Sequence, residues 1–426
     1  MATSRRPAGR HPPSVAPGRG ADGPPLNVAL VGQGFMGRAH GNAWGQVGRF
    51  FQPPRLPVLH TIAARNAGSL PGFARRWGWA HWTARWQDLA ADPDVQLVDI
   101  GTPNDSHAEI ALAMLAAGKH VACEKPLAAT LDDARAMRDA AAAAARRGVQ
   151  SFVWFNYRRC PAVALGHQLV AEGRLGRLHH VRAHYLQSWG GPDTPLSWRF
   201  DAARAGSGAH GDLNAHLVDL VRFLSGEEFE VVHGAAARTF VTERATGGSR
   251  VAGEPGVPSR SRVAGPRSAR GRSTVDDALL FLAGLSGGAV ASLEASRVAT
   301  GHLNDNSIEL NGERGALRFD FEDMNALHWF DATEPRRTAG WKRITVTAAE
   351  HPWIAHWWPE AHLLGYEHTF TNMAADVVSA LCGPAAAATI PVPLPSFADG
   401  WEVQRVLEAA LLAAQHGAAV RLSEVR

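Results

Sequence analysis

Short apolar runs alternate with longer stretches of helical periodicity over the first 155 residues. Leu26 to Val31 reads LNVALV, interrupted only by Asn27, the pattern of a strand buried on both faces. A helical stretch follows through Trp44 and Val47, and the alternation then repeats. Strands are predicted at 58–64, 95–100, 120–123 and 151–155, with helices at 69–77, 106–117 and the Ala-rich 131–147. Parallel strands need long crossovers, and helices supply them, so this order predicts an α/β doubly wound parallel sheet of the Rossmann type at 26–155. Ligands of such sheets bind outside the carboxyl ends of the strands, where the loops 101–105 and 124–126 fall.

Beyond Asn156 the period changes. A helix at 162–172 leads into alternating segments at 178–189, 228–240, 277–285, 289–298 and 307–320. Period two marks strands with one buried face, so 156–396 is expected to form an α+β domain around a large, mainly antiparallel open sheet. A helix at 212–224 interrupts the strands. Helices at 363–381 and 397–416 flank a Pro-rich turn near the end, and no internal repeat is visible.

Composition narrows the class. With 426 residues, 46% hydrophobic and 19% charged, the chain is an ordinary globular protein of two or three domains, and no apolar run approaches the ~20 residues of a membrane span. Cys123, Cys160 and Cys382 are odd in number and far apart, which argues against a disulfide framework and for a reducing, cytoplasmic setting. Ser4-Arg5-Arg6 resembles a twin-arginine export signal, but Pro7, Ala8, Gly9 and Arg10 stand where an apolar stretch is required.

The charge of +3 is unevenly placed. Residues 1–25 hold four Arg against Asp22, and residues 243–272 hold seven Arg against Glu243 and Glu254, which leaves −5 for the rest. Both stretches are rich in Gly, Pro, Ser and Ala, so a disordered tail (1–25) and a disordered loop (243–273) are expected. Neither has the interleaved aromatics of a nucleic-acid surface, and no nucleic-acid partner is expected.

Three motifs carry candidate chemistry. Gly32-Gln33-Gly34-Phe35-Met36-Gly37 lies between a predicted strand and a helix, the context of a dinucleotide loop. Gly32 would make the tight turn, Gly34 would admit a pyrophosphate, and Gly37 would let helix and strand pack closely. Glu124-Lys125-Pro126 follows a strand at the binding edge; by spacing alone Lys125 reads first as a solvated lysine, and secondly as a holder of a substrate hydroxyl. Pro126 is a position where a cis bond could aim that side chain. Asp212 and His216 stand four apart on a predicted helix, a spacing that lets a carboxylate orient an imidazole base or, equally, a dipole-favouring Asp precede a core His. Asp219, one residue off that ladder, reads equally as a surface residue.

Together these pieces resemble the Gfo/Idh/MocA oxidoreductases, on the glycine motif, Gly101-Thr102-Pro103-Asn104 with His107, Glu124-Lys125-Pro126, Phe155-Asn156-Tyr157-Arg158, and Asp212 with His216. The resemblance implies catalytic roles for Lys125, Asp212 and His216. It implies contacts with NAD(P) from Gly32, Gly34, Phe35, Met36, Gly37, Arg65, Thr102, Pro103, Asn104, His107 and Glu124, with Glu124 on the nicotinamide ribose, and packing of 397–416 back onto the first domain. A homodimer or homotetramer is implied as well. Tyr185-Leu186-Gln187-Ser188-Trp189 and Pro195-Leu196-Ser197-Trp198-Arg199-Phe200 look like the branch acting on sugars and anhydrosugars, which makes Tyr157, Arg158, Gln187, Trp189, Trp198 and Arg199 candidate substrate contacts.

The implied reaction is oxidation of a secondary hydroxyl of a sugar or polyol, with His216 as base, Lys125 stabilising the oxygen, Asp212 orienting His216, and no metal. A redox-neutral glycosidase of the same fold carries a Tyr-Pro-Thr-His-type motif where this chain reads Leu213-Asn214-Ala215-His216. A cofactor-binding regulator has no need of Lys125 and His216. Segment 351–368, with Trp353, Trp357, Trp358 and four His, matches no compact zinc spacing and reads as an aromatic substrate loop or a structural Trp cluster. The second strand ends Ala63-Ala64-Arg65-Asn66, without the carboxylate that repels a 2′-phosphate, so the expectation leans toward NADP.

Overall fold

Why strands β1 (Leu26–Val31), β2 (Pro57–Ala63), β3 (His81–Thr83), β4 (Leu97–Ile100), β5 (His120–Cys123) and β6 (Ser151–Val153) lie parallel follows from their connections: helices follow β1, β2, β4 and β5. The computed structural model describes residues 23–246 and 269–426. Strand order is β3-β2-β1-β4-β5-β6, so the winding reverses between β1 and β4. A crevice opens at such a reversal, and the loops after β1 and β4 meet there. Val28, Ala29, Leu30, Val98 and Ile100 are fully buried between helices α1 (Phe35–Phe50), α2 (Leu70–Trp77), α3 (His107–Ala116) and α4 (Leu131–Ala145). Strand β3 is three half-buried residues, HWT, without an apolar run to mark it in the sequence.

The second sheet is built from β7 (Leu178–Leu186), β8 (Phe229–Arg238), β11 (Ala278–Leu285), β12 (Val290–Ser296), β13 (Asp305–Gly312), β14 (Gly315–Asp320), β15 (Ala326–Asp331), β16 (Lys342–Thr345) and β17 (Val420–Arg421), with β9 (Glu243–Ala245) and β10 (Arg270–Arg272) paired apart from it. Its order is β16-β15-β14-β13-β7-β12-β11-β8-β17, antiparallel everywhere except at β7–β12. The segment expected as one strand at 307–320 is a hairpin, with Asn311 facing Ala316 across the turn. A side chain on Gly312 would come within 2.3 Å of the Leu175 carbonyl oxygen, so that turn is pressed against the chain before β7. Helices α5 (Pro161–Ala171), α6 (Ala215–Ser225), α7 (Tyr366–Leu381) and α8 (Phe397–His416) complete the fold. Helix α8 lies between α4 and β8, and at Gly400 an added Cβ would sit 3.0 Å from Val153, so the helix comes close to both sheets.

The loop expected to be disordered at 243–273 is ordered at both ends, where β9 and β10 pair. The reason is Arg244, fully buried, which donates to Asp277 at 3.0 Å and to the Gly190 carbonyl at 2.8 Å while its guanidinium stacks 3.7 Å over the Phe200 ring. An arginine can serve as core when its plane stacks and its two terminal nitrogens find acceptors, which a count of apolar residues misses. The remainder of that loop (247–268) and the tail at 1–22 lie outside the described residues. Arg244→Ala leaves Asp277 buried without its counter-ion, and a urea melt should show a loss of about 3–5 kcal/mol. A change within ~0.5 kcal/mol would mean that this pair does not anchor the strands.

Candidate active site

Each glycine of the first loop has a separate steric reason. Gly32 has φ +119°, and a Cβ there would meet the Gly101 carbonyl oxygen at 2.6 Å. A Cβ on Gly37 would come within 2.2 Å of the Gly32 oxygen, whereas Gly34 has nothing within 4 Å and opens onto free space. No side chain caps α1 and no acidic residue lies in its first turn. The uncapped amides and the dipole therefore present an anion site beside a cradle that any larger residue at 34 would fill. The donor set and the space fit a dinucleotide pyrophosphate.

From this loop a cavity of about 1180 Å³ runs past Arg65, Thr102, Pro103 and Asn104 to Glu124, Lys125, Asp212 and His216, and ends among Gln187, Trp189, Trp198 and Arg199. Phe35 and Met36 also line it. Asn104 is fixed by donating 2.9 Å to the Ala205 carbonyl, which ties the first sheet's loop to the second unit. The volume exceeds the usual range for one small ligand.

Lys125 crosses from the end of β5, at a cis peptide before Pro126, to donate from Nζ to Asp212 Oδ1 at 2.7 Å and to the Asp212 carbonyl at 2.8 Å. The other Asp212 oxygen accepts from Arg297 at 2.8 Å. Burial would raise the Asp212 pKa, but Lys125, Arg297 and Arg199 together hold it well below the usual carboxylate range. Asp212 thus orients Lys125 rather than His216, which corrects the pairing expected from the i, i+4 spacing. The local geometry explains it: His210–Asn214 is a π-helical turn ahead of α6, not the first turn of an α-helix. His216 is buried, tilted against the Tyr157 ring at 4.4 Å, and its pKa is held well below 6.5, first by burial and then by the Lys125 charge. It is a neutral imidazole facing the cavity.

A hydrogen-bonded wall stands opposite. Trp189 donates to Gln187 at 2.6 Å, and Gln187 and Tyr185 both donate to Asn304, at 2.7 and 2.8 Å. With the Tyr185 proton committed to Asn304, the Tyr157 hydroxyl donates to the Tyr185 oxygen at 2.8 Å. The polar groups of this wall are thus tied to one another through Asn304 and Gln187.

Residues 26–153 match the oxidoreductase family with an NAD-binding Rossmann fold, and 164–318 match the GFO/IDH/MocA C-terminal domain. Levoglucosan dehydrogenase of Pseudarthrobacter phenanthrenivorans is 38% identical over 387 residues, covering 90% of this chain and 95% of that protein. The chain belongs to the Gfo/Idh/MocA oxidoreductases. A solved oxidoreductase domain protein from Kribbella flavida superimposes with a TM-score of 0.84 at 47% identity, over 93% of this chain and 99% of that one. A levoglucosan dehydrogenase complex with NADH and L-sorbose follows at 0.83 and 37%, over 93% and 98%.

In this Gfo/Idh/MocA oxidoreductase, three of the residues expected at the site, Gly37, His107 and Arg158, lie behind it, Gly37 being packed against the Gly32 carbonyl. His107 does not line the cavity; its ring nitrogens lie 2.9 Å from the Thr102 carbonyl and 3.1 Å from that of Pro126, so it joins the two loops that do. Arg158 is buried against Asp219 at 2.5–3.1 Å and Asp399 at 3.2 Å, with its guanidinium over Phe223. Asp219, read as a possible surface residue, is thereby core. In segment 351–368, Trp353 donates to Asp376 and Trp357 to Asn372, and Trp357 packs 4.4 Å from Phe50 of α1. None of Trp353, Trp357 and Trp358 lines the cavity, so these tryptophans form a structural cluster, and it is Tyr366 of this segment that reaches the cavity.

Sequence reasoning missed His40, Arg297, Asn304 and Tyr366. His40 and Trp44 share one buried face of α1 at i, i+4, a polar pair on an apolar stripe that could have been noticed. Arg297 and Asn304 follow β12 and precede β13 with no local signal at all. Arg158→Met should lower the melting temperature by stranding Asp219, while nucleotide affinity stays as in the unmodified protein; a selective loss of substrate affinity with full stability would return Arg158 to the site.

Proposed function

We propose that this chain oxidises a secondary hydroxyl of a sugar, anhydrosugar, glycoside or cyclitol to the ketone, using NAD or NADP. The observation that carries the reading is the convergence of Lys125, Asp212 and neutral His216 in a cavity whose other end is the open N-terminus of α1. A nicotinamide cofactor held there supplies the hydride acceptor. His216 takes the hydroxyl proton on a ring nitrogen, and Lys125 donates hydrogen bonds to the oxygen as negative charge develops. Asp212 and Arg297 keep Lys125 aimed. Trp189 and Trp198 offer faces to the C–H patches of a sugar ring, and Gln187 and Arg199 offer donors to its hydroxyls. The named sugar dehydrogenases among the relatives support this class.

In this reading 26–155 holds the cofactor and 156–396 forms the substrate walls. Leu280, Leu282 and Val290 are exposed side by side on the outer face of β11 and β12, which supports a homodimer or homotetramer through that face. The buried free thiols Cys123 and Cys160 suit the cytoplasm.

Incubating the protein with a panel of sugars and polyols and either oxidised cofactor, while following reduced-nicotinamide absorbance, tests the reading. His216→Ala and Lys125→Met should each lower the rate by ~10²–10⁴ without abolishing cofactor binding. Because the His216 pKa lies below 6.5, kcat/KM should stay level as pH falls through 6.5 and drop only at lower pH. No reduction of either cofactor by any member of the panel would sink the proposal.

Cofactor choice is separately testable. Arg65 stands exposed at the cavity rim, with Ala64 where an acidic residue would repel a 2′-phosphate. A guanidinium there favours NADP through a charge-assisted contact. The dissociation constant for NADP should be the lower of the two, and Arg65→Ala should erase the difference; equal or tighter NAD binding, unchanged in the variant, would contradict the preference.

A further inference from the structure

Behind the wall that carries Glu124 lies a buried group which the proton-transfer chemistry does not touch. His40, midway along α1, has no exposure. Its Nδ1 lies 3.0 and 3.1 Å from the two carboxylate oxygens of Asp99, and its Nε2 lies 3.0 Å from Glu124 Oε1. Asp99 also accepts the indole N–H groups of Trp44 at 2.7 Å and Trp154 at 2.8 Å. Glu124 accepts the Lys125 backbone N–H on Oε2 at 3.1 Å and lines the cavity. The rings of Trp154 and Phe370 close on the imidazole at 4.3 and 5.4 Å.

With Asp99 and Glu124 both ionised, counting hydrogens decides the state of the ring. A neutral imidazole has one N–H and one lone pair, so with a carboxylate oxygen at about 3 Å from each nitrogen it would set lone pair against lone pair on one side. An imidazolium gives each carboxylate a donor. The other polar groups near the ring do not change this count. Cys123 on β5 is a buried thiol pushed up first by burial and then by Glu124 and Asp99, and the Lys125 ammonium is turned to Asp212. Arg199 acts on Glu124 only across the cavity. Burial alone would lower the His40 pKa, but the two carboxylates, Asp99 foremost, outweigh it and raise it to about 9.

We propose that His40 is a positioning residue, a buried imidazolium that neutralises Asp99 on one side and on the other fixes Glu124 as an acceptor for the ribose hydroxyls of a dinucleotide in the cavity. The proposal rests on the reading of the cavity as a nicotinamide site. Asn cannot replace the ring, because its donors sit on one nitrogen and cannot serve two opposed carboxylates.

The experiment is a double-mutant cycle on reduced-cofactor affinity, by fluorescence titration of the unmodified protein, His40→Asn, Glu124→Gln and the double variant. Each single variant should weaken binding roughly ten- to hundredfold, the scale of a lost hydrogen bond to a charged group. The double variant should weaken it no further, because His40 acts through Glu124. Additive losses, or a His40→Asn variant with a lower melting temperature and unchanged affinity, would overturn the proposal. A nitrogen-15 histidine spectrum of the unmodified protein keeps the test open where His40→Asn does not fold: both His40 nitrogens should carry protons at pH 8, and a neutral ring there would overturn it equally. If the unmodified protein binds no nucleotide, the reading of the cavity fails, and the spectrum still decides the state of His40.

Discussion

One carboxylate holds the site together. Asp212 binds Lys125, carried at the end of β5, through one oxygen and Arg297, carried just after β12, through the other. The parallel sheet and the antiparallel sheet are thus clamped at the same half-buried charge. Removing a carboxylate from water is costly, and it remains ionised here because two cations reach it at 2.7 and 2.8 Å. The same Lys125 that answers this charge adds to the burial that depresses the neighbouring His216, so the pairing also helps to keep that imidazole neutral.

The clamp needs Asp212 at a fixed height, and the chain before it supplies that. Asp276 accepts the backbone N–H groups of Gly208 and His210 on its two oxygens, at 2.7 and 2.8 Å, and an added Cβ on Gly208 would overlap the Asp276 carbonyl oxygen at 1.8 Å. His210 reaches the Leu407 carbonyl of α8 at 2.9 Å. The last long helix therefore braces the π-helical turn that presents Asp212, although it lies about 200 residues away in sequence. A π turn is a poor local conformation, stable only where surrounding contacts fix it, and such turns recur at functional sites.

How much of this was legible follows from where each signal resides. Strands with continuous apolar runs, such as β1 and β5, and the helix at 397–416 are local patterns and appear where expected. Strands β3, β15, β16 and β17 are short or half-exposed, and the turn at Glu313-Arg314 leaves the alternation of 307–320 nearly unbroken, so the hairpin is invisible until the chain is folded. Lys125, Asp212 and His216 were readable as residue types in motifs. Their pairing was not, because the partner that wins Asp212 is 87 residues from it while the one that loses is four away. His107 and Arg158 sit within motifs yet point into the core, and side-chain direction is a property of packing rather than of spacing.

The claim on which everything turns is that Lys125 and Asp212 act as a unit. The most direct measurement is kcat/KM for the best sugar substrate in Lys125→Met, Asp212→Asn and the double variant. Groups that act together are strongly non-additive, so Asp212→Asn should lose nearly as much as Lys125→Met and the double variant scarcely more than either. Losses that multiply would contradict the clamp, because they would mean that Asp212 contributes to turnover by a route that does not pass through Lys125.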